Sequence, residues 1–236
     1  MYLEAALTAD KLGASLEGSN GSDDQDSYGS IANELMTQAC ALYEQCVMAD
    51  MRLQRSCVLP LITTLTACRS LGKEDYEGLI MKTSKYAAKM VRKTEQCEAV
   101  TLCSHLFYVV DNDGSTVVYS NPQRCLECLQ RALKLANACT TADPSNLGLF
   151  VELLDIYLYF FEKKNPSITG NYITGLVALI KEHANSIPQQ HQYGGPSPTA
   201  EARAHFLEIV RHVKASKLKE ETSEMFRGID VSAVET

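Results

Sequence analysis

Apolar residues along this chain recur at helical spacing rather than in alternation. Between Gln96 and Val110, the residues Ala99, Leu102, Cys103, Leu106, Phe107 and Val110 fall at i, i+3, i+4, i+7, i+8 and i+11. That is the template of an amphipathic helix with one face in a core. At ~100° per residue, Glu98, Thr101, His105 and Tyr108 project from the other side. A histidine and a tyrosine together on a wet face raise the question of what that face meets.

The same period predicts further helices. Tyr2–Ala14 carries Leu3, Ala6, Leu7 and Leu12, and Tyr28–Ala49 carries Leu35, Ala39, Leu42 and Cys46. Arg52–Leu71 carries Val58, Leu61, Ile62, Leu65 and Cys68, with Pro60 expected to bend its first turns. Glu74–Lys93 follows after Gly72, a helix-stopping glycine. Asn121-Pro122 and Asp143-Pro144 each place a capping side chain before proline at a helix start. They open Arg124–Cys139 and Ser145–Lys164, the second apolar on more than one side and so expected to be covered on more than one side. Ser167–Ser186 and a helix from Ser197-Pro198 to about Glu221 complete the set.

The connections are short, apart from three. Glu17–Ser27 is small, acidic and without a hydrophobe, which predicts disorder. Asp111–Ser120 breaks the helical pattern, and Thr116–Tyr119 reads as a short extended piece or hairpin arm. Ile187–Pro196 is a polar loop, and Ser223–Thr236 reads as a mobile tail except around Met225–Ile229. About nine helices with short links make antiparallel neighbours. The pairs recur at roughly 40–50 residues, the period of HEAT-like arrays. The organisation expected is therefore one all-α body over 1–221, with an acidic insert at 17–27 and a tail at 222–236.

Composition narrows the function classes. A net charge of -7 with only a local basic cluster, Arg211, Lys214, Lys217 and Lys219, argues against nucleic acid. No apolar run reaches the 18 residues of a membrane span, and Met1–Leu16 is an amphipathic helix rather than a signal peptide, so the chain reads as soluble and unexported. Nine cysteines cannot pair completely, and many fall on apolar stripes as small buried hydrophobes. Cys125-Leu-Glu-Cys128 has no second knuckle at zinc spacing, and core packing is the better reading.

Other candidate chemistry is thin. Asp23-Asp24-Gln25-Asp26 has a faint likeness to the magnesium motif of all-helical prenyl-transferring enzymes, but the spacing differs. Asp111-Asn112-Asp113-Gly114 resembles the start of a calcium loop with its glycine at the wrong position. His205 and His212 lie two turns apart on one helix with no third ligand and read as surface histidines. No phosphate loop, nucleophile elbow or His-Glu-x-x-His sequence occurs.

Several segments resemble one family, the retromer large scaffold subunit, vacuolar protein sorting protein 35, in its C-terminal portion. They are Tyr2-Leu-Glu-Ala-Ala-Leu-Thr-Ala9, Leu35-Met-Thr-Gln-Ala-Cys-Ala-Leu-Tyr-Glu44, Ala99-Val-Thr-Leu-Cys-Ser-His-Leu-Phe107, Cys125-Leu-Glu-Cys-Leu-Gln-Arg-Ala-Leu-Lys-Leu-Ala-Asn137 and Tyr157-Leu-Tyr-Phe-Phe-Glu-Lys163. The resemblance implies a right-handed α-solenoid of HEAT-like antiparallel helix pairs whose concave face clamps a metallophosphoesterase-fold subunit, vacuolar protein sorting protein 29. It implies no catalysis and no cofactor. It also implies endosome-to-Golgi retrograde transport, from the cytoplasm and peripherally on endosome membranes, with other retromer subunits bound through a missing N-terminal part.

By the same resemblance His105 touches the phosphoesterase-fold partner, with Thr101 and Tyr108 as further partner-binding candidates. Self-association into a homodimer is assigned to Lys89, Arg92 and Lys93 on the basic side and Glu44 on the acidic side. Gln45 and Cys46 stand where the family carries more acid. Complete members are several times longer, so the chain is expected to be a fragment or a shortened copy. Two other readings stay beside the scaffold: an all-α metal-dependent enzyme using Asp23, Asp24 and Asp26 or a Cys/His site, and an unrelated helical adaptor.

Overall fold

The computed structural model describes residues 1–15, 22–111, 116–186, 198–232 and 234. The chain divides into two compact units, Met1–Cys128 and Leu129–Thr236. Ten α-helices and one two-stranded hairpin are present among the described residues. Among the described residues the fold is all-α apart from that hairpin, and helices adjacent in sequence pack as neighbours: Tyr2–Ser15 with Ser22–Leu42, Lys73–Lys89 with Lys93–Phe107, and Gly148–Glu162 with Gly170–Ser186. Short connections make such neighbours antiparallel, the repeating element of a helical array.

In the first unit, α1 (Tyr2–Ser15) packs along α2 (Ser22–Leu42), whose end widens into a π-helical turn, Tyr43–Val47. α3 (Gln54–Ala67), α4 (Lys73–Lys89) and α5 (Lys93–Phe107) pack mutually. The predicted stripes are what they bury: Val58, Leu61, Ile62 and Leu65 from α3, Leu79, Ile80 and Ala87 from α4, and Ala99, Cys103 and Leu106 from α5. Helix α2 begins earlier than the sequence suggested. Ser22–Ser27, half of the segment expected to be disordered, has helical backbone, while residues 16–21 lie outside the described set. Serine followed by aspartates is the composition that helix starts favour.

Helix α5 ends at Phe107, three residues before the predicted end. Tyr108–Val110 forms β1, antiparallel to β2 (Val117–Ser120), with Val109 opposite Tyr119 and a register shift at Val109/Val110. Valine and tyrosine on both arms suit a pleated strand better than a helix. Packing fixes the switch: Tyr76 Oη donates to the carbonyl of Leu106, 2.9 Å away, and the rings of Tyr76 and Tyr119 meet edge-on at 5.1 Å. A helix-end carbonyl without an intrahelical partner is thereby satisfied.

Helix α6 (Pro122–Ala142) carries the division between the units. The second unit continues through a 3-10 turn, Pro144–Leu147, into α7 (Gly148–Glu162), then α8 (Gly170–Ser186), α9 (Pro198–Leu218) and the short α10 (Ser223–Phe226). Both proline-marked starts are capped as the sequence predicts. Asn121 Oδ1 accepts from the Arg124 amide at 3.2 Å, and Asp143 Oδ1 accepts from the Ser145 amide at 2.9 Å. That last bond holds the Asp143 carboxyl below the usual carboxylate range.

Two-sided hydrophobicity of α7 has a simple cause: α8 and α9 both pack on it, and Phe150, Val151, Leu154, Tyr157 and Phe160 are all buried. The helix stops where Lys164 takes a left-handed φ of 58° and the Asn165 amide donates back to the Phe160 carbonyl. The segment read as a tail at 222–236 is packed in its described part. Phe226, Ile229, Val231 and Val234 are buried, the Asp230 amide donates to Thr174 Oγ1 at 2.9 Å, and Lys214 Nζ donates to the Val234 carbonyl at 2.9 Å. Regular spacing is lost there, so helical periodicity could not reveal the burial.

Candidate functional site

The polar face of α5 is not the wet face its spacing suggested. Arg55 on α3 grips Glu98 with two bonds, Nε to Oε2 at 2.7 Å and Nη2 to Oε1 at 2.6 Å. One turn on, Thr101 is 7% exposed and its hydroxyl donates to the Cys97 carbonyl. Tyr108 is 5% exposed and has left the helix for β1. Thr101 and Tyr108 therefore offer no surface to a partner, which corrects their assignment as contact residues. The cause is α5 packing against α3 and α4 together, with the hairpin closing its end.

Of the three contact candidates, His105 keeps part of its surface, half-buried in the last turn of α5. Desolvation lowers its imidazole pKa from 6.5 to about 4. At neutral pH the ring is uncharged, with both an N–H donor and a nitrogen acceptor. Such a group can accept a hydrogen bond or pack under a partner, without the cost of burying a charge.

The four self-association residues fall at one end of the first unit. Lys89, Arg92 and Lys93 are exposed around the three-residue turn between α4 and α5. Arg92 Nη1 lies 3.0 Å from Glu95 Oε1, and Lys93 Nζ donates to Gln96 Oε1 at 3.0 Å. Glu44 sits in the π-helical turn, exposed, and accepts from Tyr86 Oη at 2.5 Å. Tyr86 is three residues before Lys89 on α4, so the acid and the bases share one neighbourhood. Desolvation and the bond to Glu44 both push the Tyr86 phenol upward, keeping it a donor.

Residues that fasten the connections of this unit escaped the sequence reading. Gln54 (4% exposed) donates to the Met48 carbonyl at 2.9 Å and accepts from the Val91 amide at 3.0 Å. Buried Gln96 donates to the Ala88 carbonyl at 2.5 Å. Asp10 on α1 (2% exposed) receives the amides of Arg69 and Ser70, both at 2.8 Å, and the Ser70 hydroxyl, tying down the segment after α3. The helices crowd closely there: a Cβ on Gly29 would stand 2.4 Å from the Ser70 carbonyl oxygen. A signal was available. Asp10, Gln54 and Gln96 each stand in register with an apolar stripe, four residues from Ala6, Val58 and Val100 respectively.

The other sequence candidates separate cleanly. Cys40, Cys68, Cys97, Cys103, Cys125 and Cys139 are buried, and burial pushes the thiols of Cys68, to about 12, and Cys103 upward, away from reactive thiolate. His205 Nε2 pairs with Asp155 at 3.4 Å, and His212 Nε2 with Glu162 at 2.6 Å, both at the surface between α7 and α9. The side chains of Asp23, Asp24 and Asp26 lie outside the described residues, as do Asn112 to Ser115. No helix among the described residues is long and apolar enough to cross a membrane.

Comparison with known proteins follows the same residues. The family described as vacuolar protein sorting-associated protein 35 matches residues 1–183. A protein of that name from Schizosaccharomyces pombe is 37% identical over 164 residues, covering 70% of this chain and 19% of its own length. Arabidopsis thaliana proteins 35B and 35A are 36% and 35% identical over 80% and 93% of this chain, and 23% and 25% of their own lengths. The chain thus spans about a quarter or less of the relatives it matches.

Proposed function

The chain belongs to the vacuolar protein sorting-associated protein 35 family, and from that premise we propose that it is a non-enzymatic scaffold segment of the retromer coat. It clamps the metallophosphoesterase-fold subunit, vacuolar protein sorting protein 29, and supports endosome-to-Golgi retrograde transport from the cytoplasmic side of the endosome membrane. The family match over residues 1–183 carries the reading, because it includes every helix of the first unit and α7.

His105 is the contact residue this reading selects on α5. Thr101 and Tyr108 are sealed inside the unit, whereas the neutral, half-buried imidazole combines exposed surface with a low desolvation cost. Copurification of the full chain with the phosphoesterase-fold subunit tests the function. His105→Arg places a permanent charge where the ring is neutral, and is expected to abolish capture while far-ultraviolet circular dichroism stays unchanged. Full capture by that variant removes His105 from the contact, and no capture by the wild-type chain removes the clamp itself.

Self-pairing is the finer part of the reading. Glu44 and the Lys89, Arg92 and Lys93 group occupy one neighbourhood, so a two-fold contact can set the acid of one copy against the bases of the other. With one exposed acid opposite three bases, such pairing is weak and salt-sensitive.

A further inference from the structure

One cavity of the first unit is unrelated to the α5 face or the basic turn. It has a volume of about 580 Å³ and lies between the segment after α3, the start of α4 and the hairpin. Arg69, Lys73 and Glu77 line it on one side, with Tyr76, Tyr119 and Val118 among its aromatic and apolar walls. That size is within the range of small-molecule sites, and so is the mixture of a few charged groups with apolar walls.

The charges do not cancel. Arg69 Nη1 is spent on the carbonyls of Thr66 and Cys68, at 2.7 and 2.8 Å, which fixes the plane of the guanidinium. Its Nε is buried without a hydrogen-bond partner, and neither Arg69 nor Lys73 forms an ion pair among the described residues. The single acid, Glu77, accepts from Tyr119 Oη at 3.3 Å. Two cations against one acid, in a chain whose net charge is -7, line one concave site. A held guanidinium and an exposed ammonium lining one cavity are a pairing suited to carboxylate and phosphate.

We propose that this cavity binds a small organic anion, a carboxylate or phosphate monoester on an aromatic body. The anionic group meets Arg69 and Lys73, the body lies against Val118 and the two tyrosine rings, and Glu77 disfavours ligands of higher negative charge. The proposal does not rest on the scaffold reading, since capture of the phosphoesterase-fold subunit and ligand binding here are measured separately.

The test is a titration of the full chain with phenyl phosphate, and in parallel with benzoate, read from the methyl resonances of Val109 and Val118. Saturable shifts are expected with at least one probe, and the tighter of the two identifies the preferred anion. Phenol, which keeps the ring and lacks the charge, is expected not to saturate. Lys73 is exposed in the first turn of α4, so Lys73→Gln retains the fold and is expected to weaken binding roughly tenfold. Glu77→Gln keeps an acceptor for Tyr119 and is expected to tighten it. Absence of saturation with both anions, equal binding of phenol, or indifference to Lys73→Gln would overturn the proposal.

Discussion

The two units solve the same packing problem with different materials. The second is held by large apolar side chains: Phe150, Tyr157 and Phe160 of α7 are fully buried, and Phe226 meets Phe161 edge-on at 5.4 Å to bring in the chain's end. Its polar pairs between α7 and α9 stay at the surface. In the first unit, buried polar side chains fasten the connections. Asp10 holds the residues after α3, and Gln54 and Gln96 hold the turn carrying the basic group. Apolar contacts favour burial without specifying direction, whereas a buried carboxylate or amide tolerates only the arrangement that satisfies it. The difference leaves the turn that carries Lys89, Arg92 and Lys93 held by buried amides.

The comparison can be broken at its strongest points. Phe226→Ala leaves a cavity where the tail meets α9, and is expected to cost about 3–5 kcal/mol in urea denaturation. Asp10→Ala strands three donors and is expected to cost about 3 kcal/mol, with Asp10→Asn intermediate. A cost for Asp10→Ala no larger than that of an ordinary surface substitution would remove the distinction between the units.

Smaller effects sharpen it. His105 has a pKa of about 4 in the folded chain against an ordinary value of 6.5, so the unfolded state binds more protons between those values. Stability is therefore full above pH 6.5 and falls as pH drops toward 4, and His105→Gln is expected to flatten that part of a pH series of denaturation midpoints. An unchanged slope would mean that the ring is not desolvated. His212→Ala breaks an exposed pair with Glu162 and is expected to cost under about 1 kcal/mol; a larger loss would show that this surface pair itself fastens α7 to α9.

Much of this architecture was legible in the residues. The stripes of α3, α5 and α7, the caps at Asn121 and Asp143, and the all-α class follow from local spacing and capping chemistry. The site was less legible. Thr101 and Tyr108 share a helical face with His105 in projection, yet they are buried because the unit covers α5 beyond its apolar stripe and the strand begins at Tyr108. Asp10 and Gln54 stand in register with apolar stripes, but the segments they bind, 59 and 37 residues away, come beside them only in the fold.

Periodicity and capping act within a few residues, so the chain alone determined which segments are helical, which faces are apolar and which family they resemble. Tertiary structure decided which polar residues are sealed, how the Lys89–Lys93 turn is held beside Glu44, and that two cations share a cavity under a hairpin. Those outcomes depend on contacts between residues far apart in sequence, where desolvation and hydrogen-bond geometry select among arrangements that share one hydrophobic pattern.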